Sequence, residues 1–525
     1  MMVGAFLGFR NWVSKISEKR NQRKAVKEFI SAKASFFDFV QAYDGDKAGM
    51  FSGFGLTRDP RFIDYQKIRV RSVQLMRENG YAAAILGRFL TKTINSGLRL
   101  RSQPPESILS KYITSDFLSN WSSDTEYKWG IWSKDKRLVT KAGNKTFQEL
   151  EREAFLTAMI SGDCLIIKTT TKMGLPQFQL IDGINVVDPL VFDGNRDILH
   201  GVELNSKGKE ITYFVQTDDL TVTPVKAYDS NGDRRAWMVK VTTSRVDERR
   251  GLPLLSVILQ NLNELGKYMD SEQRAALVNS YVAMVHTKSE NAPNKINPLK
   301  NAGTNITNPD PNSNLKYKQM QPGYLATNLA AGESITSFDT SRPNVNFAKF
   351  AESCLKSMSI SLGMPPEVFF LEFNSNYSAS RAAIKEFEDR VKEVTFIFTT
   401  DFNDPAYCFW LDGMILTSRI KAPQYITSMY NLEKFEILGA WRSCAWRGLP
   451  KSNVDGLKMV KELTIAKNEG FLTGEDITDA YYDGNYSENL TQLKKESIKL
   501  AEIDKIRDPQ KFELDTDTTE KQDNE

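Results

Sequence analysis

Histidine, paired cysteine and long apolar runs are scarce or missing in this chain of 525 residues. Two histidines, His200 and His286, stand too far apart for an H-E-x-x-H helix, and no Cys/His metal cluster occurs at useful spacing. The four cysteines (Cys164, Cys354, Cys408, Cys444) stand far apart with no C-x-x-C pair. That pattern predicts buried thiols in a reducing compartment rather than a disulfide framework. No stretch approaches the roughly 18 apolar residues that cross a bilayer, so no membrane partner is expected. The apolar opening MMVGAFLGFR is short and has no basic region ahead of it, so it does not read as a secretory signal. There is no G-x-x-x-x-G-K-[ST] loop and no G-x-S-x-G elbow, which removes a P-loop motor and an elbow-type hydrolase. Gly53-Phe54-Gly55 lacks the strand–turn–helix setting of a phosphate loop. Neither charge dominates: 69 Lys+Arg oppose 66 Asp+Glu, which argues against a dedicated sequence-independent DNA binder.

The length is too great for one compact core and predicts about two to four domains. With 41% hydrophobic and 26% charged residues the chain reads as folded. Residues 1–35 carry eight Lys/Arg against two Glu. They read as a solvated or partner-bound arm, with Met2, Phe6, Phe9, Val13 and Ile16 near the spacing of an amphipathic surface helix as the other reading. Residues 501–525 hold nine acidic and four basic residues, and their end reads as disordered.

Arg61–Ile94 predicts two helices split at Asn79-Gly80, and Thr146–Ile160 a helix opened by a Thr146/Glu149 capping box. Then the period changes to that of strands: CLIIKTT, PQFQLID, LHGVELN, EITYFVQ and AWMVKVTT, with turns at Ser206-Lys207-Gly208 and Asn231-Gly232. This middle portion reads as α+β with a mostly antiparallel sheet. From Leu255 an i, i+3, i+4, i+7 pattern runs weakly to Val285, a helix of about thirty residues and about 45 Å. His286 would sit at its end, and His200 just ahead of a strand. Residues 291–314 read as a long exposed loop, with short strands near Tyr317–Gln319 and Ser334–Phe338. A helix carrying Phe347, Phe350, Ala351, Cys354, Leu355 and Met358 follows, stopped by Gly363 and Pro365-Pro366. Arg381–Phe398 is the next helix, and Gln424–Leu500 reads as helical with breaks at Gly448-Leu449-Pro450, Gly470 and Asp483-Gly484.

Carboxylates are plentiful, so a Mg²⁺-dependent nuclease built on Asp182, Asp188 and Asp193 is the leading enzymatic alternative. Their neighbours Gly183, Pro189 and Gly194 favour turn capping instead. No metal, cofactor or catalytic residue is expected.

Several segments, weak singly but co-linear from about Arg61 to Glu496, resemble the lambda-type portal proteins of tailed bacteriophages. They are IRVRSVQLMRENGYAAAILGRFLTKTINSGLRLRSQ, FQELEREAFLTAMISGDCLIIK, the G-V-E hairpin in HGVELNSKGKEITYFV, and R-G-L-P-L at Arg250–Leu254. After them come P-G-x-x-x-x-x-L-x-x-G-E, R-P-x-x-x-F-x-x-F, L-G-M-P-P-E and N-Y-S-x-S-R between Met320 and Arg390. Trp441, Asp455, Gly470, Thr473 and Asp483-Gly484 fit the family less specifically. The stretch after Asn291 and the first sixty residues match poorly.

The resemblance implies an α+β portal fold with an α/β wing, a long-helix stem, a small clip insertion and a helical C-terminal crown. On that plan 1–60 is a basic arm, 61–250 the wing, 251–289 a stem helix, 290–343 the clip and 344–366 the second stem helix. Residues 367–380 form the tunnel-loop region, 381–430 a wing return helix and connection, 431–500 the crown and 501–525 an acidic disordered tail. It implies a non-enzymatic homo-oligomeric ring, generally a dodecamer, at one capsid vertex of the virion, assembled in the host cytoplasm. Its expected partners are double-stranded DNA in transit, the terminase large subunit, the major capsid or scaffold protein, and head-completion or adaptor proteins. A smaller head–tail adaptor is the remaining structural alternative. Stem packing would fall to Leu255, Leu259, Leu262, Phe347, Phe350 and Leu355. Channel candidates are Asn374, Ser375, Asn376, Tyr377 and Ser378, a neutral turn suited to sliding DNA, with Arg381, Lys385, Lys392, Lys267 and Arg274 as weak phosphate-facing cations.

Overall fold

The computed structural model describes residues 63–189, 197–217, 221–242, 248–281, 347–371, 377–448, 456–481 and 486–507. It also describes the short strands Val285–Lys288, Asn305–Ile306, Tyr317–Lys318 and Glu333–Thr336. Two compact units result: Met1–Val257 with Phe373–Glu525, and Ile258–Glu372. The fold mixes helix and sheet, as the α+β reading expects.

Capping chemistry places the first helices. Asn79 separates Tyr65–Glu78 from Gly80–Thr93: its N–H donates to Leu75 O at 2.8 Å, while its side chain accepts from Tyr81 N and Ala82 N. Thr146 and Glu149 form the expected reciprocal capping box at the head of Phe147–Ser161. That helix ends at Gly162, φ +89°, and strand Asp163–Thr170 starts at once. The strand lies antiparallel between Pro176–Asp182 and Ala236–Lys240. Its run Cys164–Ile167 is buried throughout, because the Phe147–Ser161 helix contacts this sheet while Leu165 and Ile167 join a cluster with Val202, Tyr213 and Val215 of a second sheet.

The second sheet has the order Asp197–Leu199, Val202–Leu204, Glu210–Gln216, Val222–Lys226, all antiparallel. The expected single strand Leu199–Asn205 is therefore two strands. His200 (φ 51°) and Gly201 (φ 81°) make a tight turn between them. Val222–Lys226 was not expected: Pro224 masks it, and this strand sits at the sheet edge where proline is tolerated.

Tyr377–Phe398 passes through a π-helical turn, Thr399–Asn403, into the Asp404–Leu416 helix. Trp237 Nε1 donates to Asp401 O in that turn at 2.6 Å. Beyond it Tyr407 and Trp410 enter an aromatic core around Trp129, whose ring lies 5.0 Å from Trp132, 4.8 Å from Phe147, 5.1 Å from Trp410 and 5.6 Å from Trp446.

The C-terminal region departs from the all-helical expectation for 431–500. Cys444–Arg447 is a strand paired antiparallel with Arg99–Ser102, and Trp441 is fully buried 4.6 Å from Trp121. This part belongs to the core of the first unit. Helices Gly456–Asn468, Gly474–Tyr481 and Tyr486–Arg507 follow. Gly470 turns between the first two at φ 74°, as expected. The last helix carries residues 501–507, which were assigned to a disordered tail; 508–525 lie outside the described residues, as do the N-terminal arm and the Gly448–Pro450 break beyond Gly448.

In the second unit the long helix spans Leu259–Tyr281, shorter than expected, after a 3₁₀ turn at Leu254–Val257 that closes the first unit. Val285–Lys288 is a strand paired with Glu333–Thr336, so His286 is on a strand, not at a helix end. The β-branched Val285 and Thr287 favour that state once a partner strand exists. Asn305–Ile306 pairs with Tyr317–Lys318. Phe347–Ser361 ends where expected, with Gly363 at φ 69° and Met364 N donating to Ser359 O at 2.9 Å.

Candidate functional site

Three motifs separated in sequence meet at one buried polar joint in the first unit. Arg69 comes from the arginine-rich helix, Asp163 from the Gly162-Asp163-Cys164 turn, and Arg250 from R-G-L-P-L. All three side chains are 0–1% exposed. Arg250 grips Asp163 with both arms of its fork, Nε to Oδ2 at 2.7 Å and Nη2 to Oδ1 at 3.0 Å. Arg69 Nη2 reaches Oδ2 at 2.9 Å, and Gly251 N donates to the same oxygen at 2.9 Å.

Two guanidiniums and one carboxylate leave one buried positive charge. Backbone carbonyls absorb it: Ser161 O, Gly183 O and Gly251 O take Arg69, and Gly183 O, Val186 O and His200 O take Arg250. Burial lowers the Arg69 pKa to about 10, against the pull of Asp163. Burial alone would raise the Asp163 carboxyl, but Arg250 and Arg69 hold it below the usual carboxylate range. Tyr65, beneath the Arg69 guanidinium, is pushed up to about 12 by burial and Glu248. The backbones of Gly162 and Gly251 cross so closely that a Cβ on either would strike the other's carbonyl. A Cβ on Gly183 would strike Asp163. The carboxylate is sealed from solvent, so the arrangement is a clamp rather than a reactive centre. It fixes the chain just before the first unit ends at Val257.

A second buried acid, Glu151, accepts from Leu98 N at 2.9 Å and Asn403 Nδ2 at 2.6 Å. Burial raises its pKa to about 7 from the ordinary 4.5. A raised carboxyl stabilises the fold fully below the unfolded value and loses that contribution as pH rises through the folded value. Stability should therefore fall by about 3 kcal/mol between pH 4.5 and 7, and Glu151→Gln should flatten that slope in urea titrations.

Two of the three aspartates of the nuclease reading serve as backbone caps. Asp182 Oδ1 caps Ile184 N at 3.1 Å and Asp188 Oδ1 accepts from Gly201 N at 2.6 Å, while Asp193 lies outside the described residues. Among the described residues no group of His, Cys, Asp and Glu is placed to hold a metal ion, and no helix is long and apolar enough to cross a membrane.

The stem residues divide. Leu255 is fully buried but sits in the 3₁₀ turn of the first unit, a correction to its assignment on the long helix. In the second unit Leu259 is half-buried and Leu262 and Leu355 are buried. Tyr268 packs at 5.5 Å from Phe347 and 5.2 Å from Phe350, yet Phe350 remains 52% exposed.

Of the channel candidates, Asn374, Ser375 and Asn376 lie outside the described residues, whereas Tyr377 and Ser378 open the helix rather than ending a turn. Arg381, Lys385 and Lys392 are exposed at i, i+4, i+11 on that helix, one face, but Lys392 is bonded to Asp389 at 2.6 Å. Lys267 and Arg274 are exposed seven residues apart on Leu259–Tyr281, and belong to the other unit.

Sequence reasoning missed an open cleft of about 520 Å³ in the first unit. Lys168, Arg234, Trp237, Met238 and Lys240 line it opposite Ile397, Thr400, Asp401 and Pro405, with Glu210 on the wall. Alternating Lys168 and Trp237 with their apolar neighbours read simply as strand.

The family profile described as phage portal protein, lambda family, matches residues 57–394, more than half of the chain. The portal protein of Escherichia phage N15 is 22% identical over 83% of this chain and 84% of its own length. Portal protein B of Escherichia phage lambda is 20% identical over 83% and 84%. A chain in a solved neck of an empty GTA particle overlays with a TM-score of 0.45 at 12% identity, over 78% of this chain and 92% of that one. The protein whose motifs converge on the Arg69–Asp163–Arg250 joint belongs to the lambda family of phage portal proteins.

Proposed function

We propose that the protein closes into a ring, a dodecamer in the particle, at one capsid vertex, and that double-stranded DNA passes through it during packaging and ejection. The observation that carries this reading is the family match, which runs through both compact units rather than through one. Portal proteins are structural, so the motor would be a separate terminase chain docking on the ring, followed by head-completion proteins.

A closed ring needs two different faces on each subunit. In the second unit Phe350 and Ile360 are 52% and 65% exposed on the Phe347–Ser361 helix, apolar surface of the kind a neighbouring copy covers. The first unit through strand Ala236–Lys240 would be the wing, Leu259–Tyr281 and Phe347–Ser361 the stem, and the paired strands between them the clip. The helices after Gly456 would form the crown. The region 367–380, which includes the end of the short helix Pro366–Phe370 and the start of Tyr377–Phe398, would be the tunnel-loop neighbourhood, with Arg381 and Lys385 presenting a weak cationic ring.

Electron microscopy of the purified protein should show rings with an axial channel. Phe350→Glu with Ile360→Glu should reduce ring yield at least about tenfold in sedimentation, since each charge would need burying at the contact. A folded wild-type protein that stays monomeric under all assembly conditions, with no ring in virions, would end this reading. Alanine at Asn374 and Asn376 should alter packaged DNA length; unchanged packaging would remove the tunnel-loop assignment.

A further inference from the structure

Lys168 is the aromatic-flanked cation of the cleft, and the Asp412 carboxylate is the acid that pulls on it. Its ammonium lies 5.4 Å from the centre of the Trp237 ring and 5.0 Å from that of Phe409. Among the described residues that ammonium makes no hydrogen bond and no ion pair. The cleft's other cations are engaged: Arg234 meets Glu210 at 2.9 Å, and Lys240 Nζ donates to Glu248 O at 3.0 Å. Burial lowers the pKa of both lysines, so an incoming anion would be favoured over continued desolvation. Trp237, Met238, Ile397 and Pro405 add apolar wall. Glu210 and Asp401 on the same lining disfavour a nucleic-acid strand, whose evenly repeated phosphates would have to pass both carboxylates.

We propose that this cleft binds an acidic peptide bearing apolar side chains, and that its occupant is the chain's own C-terminal stretch, residues 508–525. That stretch has seven acidic residues against two lysines. It also contains Phe512-Glu513-Leu514-Asp515, an alternation of apolar and acidic residues. Bound extended, such a segment turns Phe512 and Leu514 to one side and Glu513 and Asp515 to the other. One side suits the apolar wall and the other suits Lys168. Eighteen residues reach at most about 60 Å beyond Arg507, the end of the last helix.

The test uses the full chain with its own stretch disabled by Phe512→Ala, Glu513→Gln and Asp515→Asn. A fluorescein-labelled peptide of residues 508–525 is titrated into it and followed by anisotropy. Binding is expected, weakened at least about tenfold by Lys168→Met, which keeps the aliphatic stem between the rings. Lys168→Arg, which keeps a cation over the rings, should restore it. A scrambled peptide of the same composition should bind the unaltered cleft at least about tenfold more weakly. The proposal is overturned by no binding, by Lys168→Met leaving affinity unchanged, or by the scrambled peptide binding equally well. An oligonucleotide of equal charge that displaces the peptide as well as unlabelled peptide does would also overturn it.

Discussion

Asp163→Ala should cost about 3–5 kcal/mol, because it leaves Arg69 and Arg250 buried with no countercharge. Against a typical total of about 5–15 kcal/mol this is enough to make the first unit unfold or fail to accumulate. Urea denaturation followed by tryptophan fluorescence would read it directly. Asp163→Asn should lie close behind: it keeps the shape but turns an amide toward one guanidinium. Replacing all three residues by apolar ones should not rescue the fold. The carbonyls of Ser161, Val186, His200 and Gly251 take donors from those arginines and would lose them in the buried joint. A triple Arg69→Met, Asp163→Leu, Arg250→Met variant as stable as the wild type would show that the joint is dispensable. The pH dependence has the opposite sign to that of Glu151. Asp163 titrates below the ordinary range, so its contribution is complete above about pH 4 and is lost as pH falls through its lowered folded value.

Gly251→Ala should cost about 3 kcal/mol or more. Its added methyl would meet the Gly162 carbonyl, and rigid backbone, unlike a side-chain end, has little room to yield. Moving the backbones apart also draws Arg250 and the Gly251 N–H away from Asp163, so the two losses couple. Gly162→Ala adds backbone strain at φ 89° and should be at least as severe. Gly232→Ala is the control: it shares φ 89° but has open space around it, and should cost only about 1 kcal/mol. Equal midpoints for Gly232→Ala and Gly251→Ala would show that the backbone crossing does not limit stability.

The signals that were legible in the sequence are the local ones. Asn79, the Thr146/Glu149 box and Gly363 act within one turn of chain, and all three work as their residue types dictate. The joint was legible only in part. Its residues fall inside motifs that stand out as family signatures, yet no periodicity says that Asp163 will meet Arg69 94 positions earlier and Arg250 87 positions later. Long-range pairing hid Cys444–Arg447, which reads as helix until Arg99–Ser102 is beside it. The same holds for Val285–Lys288, where a fading helical pattern gives way to a strand because Glu333–Thr336 supplies the ladder. The cleft left no pattern at all, since its walls come from strands and a helix that each look ordinary alone.

The π-helical turn at Thr399–Asn403 has a consequence for how the Tyr377–Leu416 rod can vary. Before the turn, apolar burial is sparse, at Phe387, Val394 and Phe398; Phe402 is buried within it, and after it Ala406, Tyr407, Trp410, Leu411, Met414 and Ile415 are all buried. One surplus residue in a turn shifts the phase of everything downstream by about 100° relative to an unbroken α-helix. The rod therefore works as two screws cut with different starting angles and joined by a spacer. Deleting a single residue between 399 and 403 would keep both threads intact while rotating one of them out of its nut. Residues upstream, by contrast, can drift in sequence so long as the spacer holds its length.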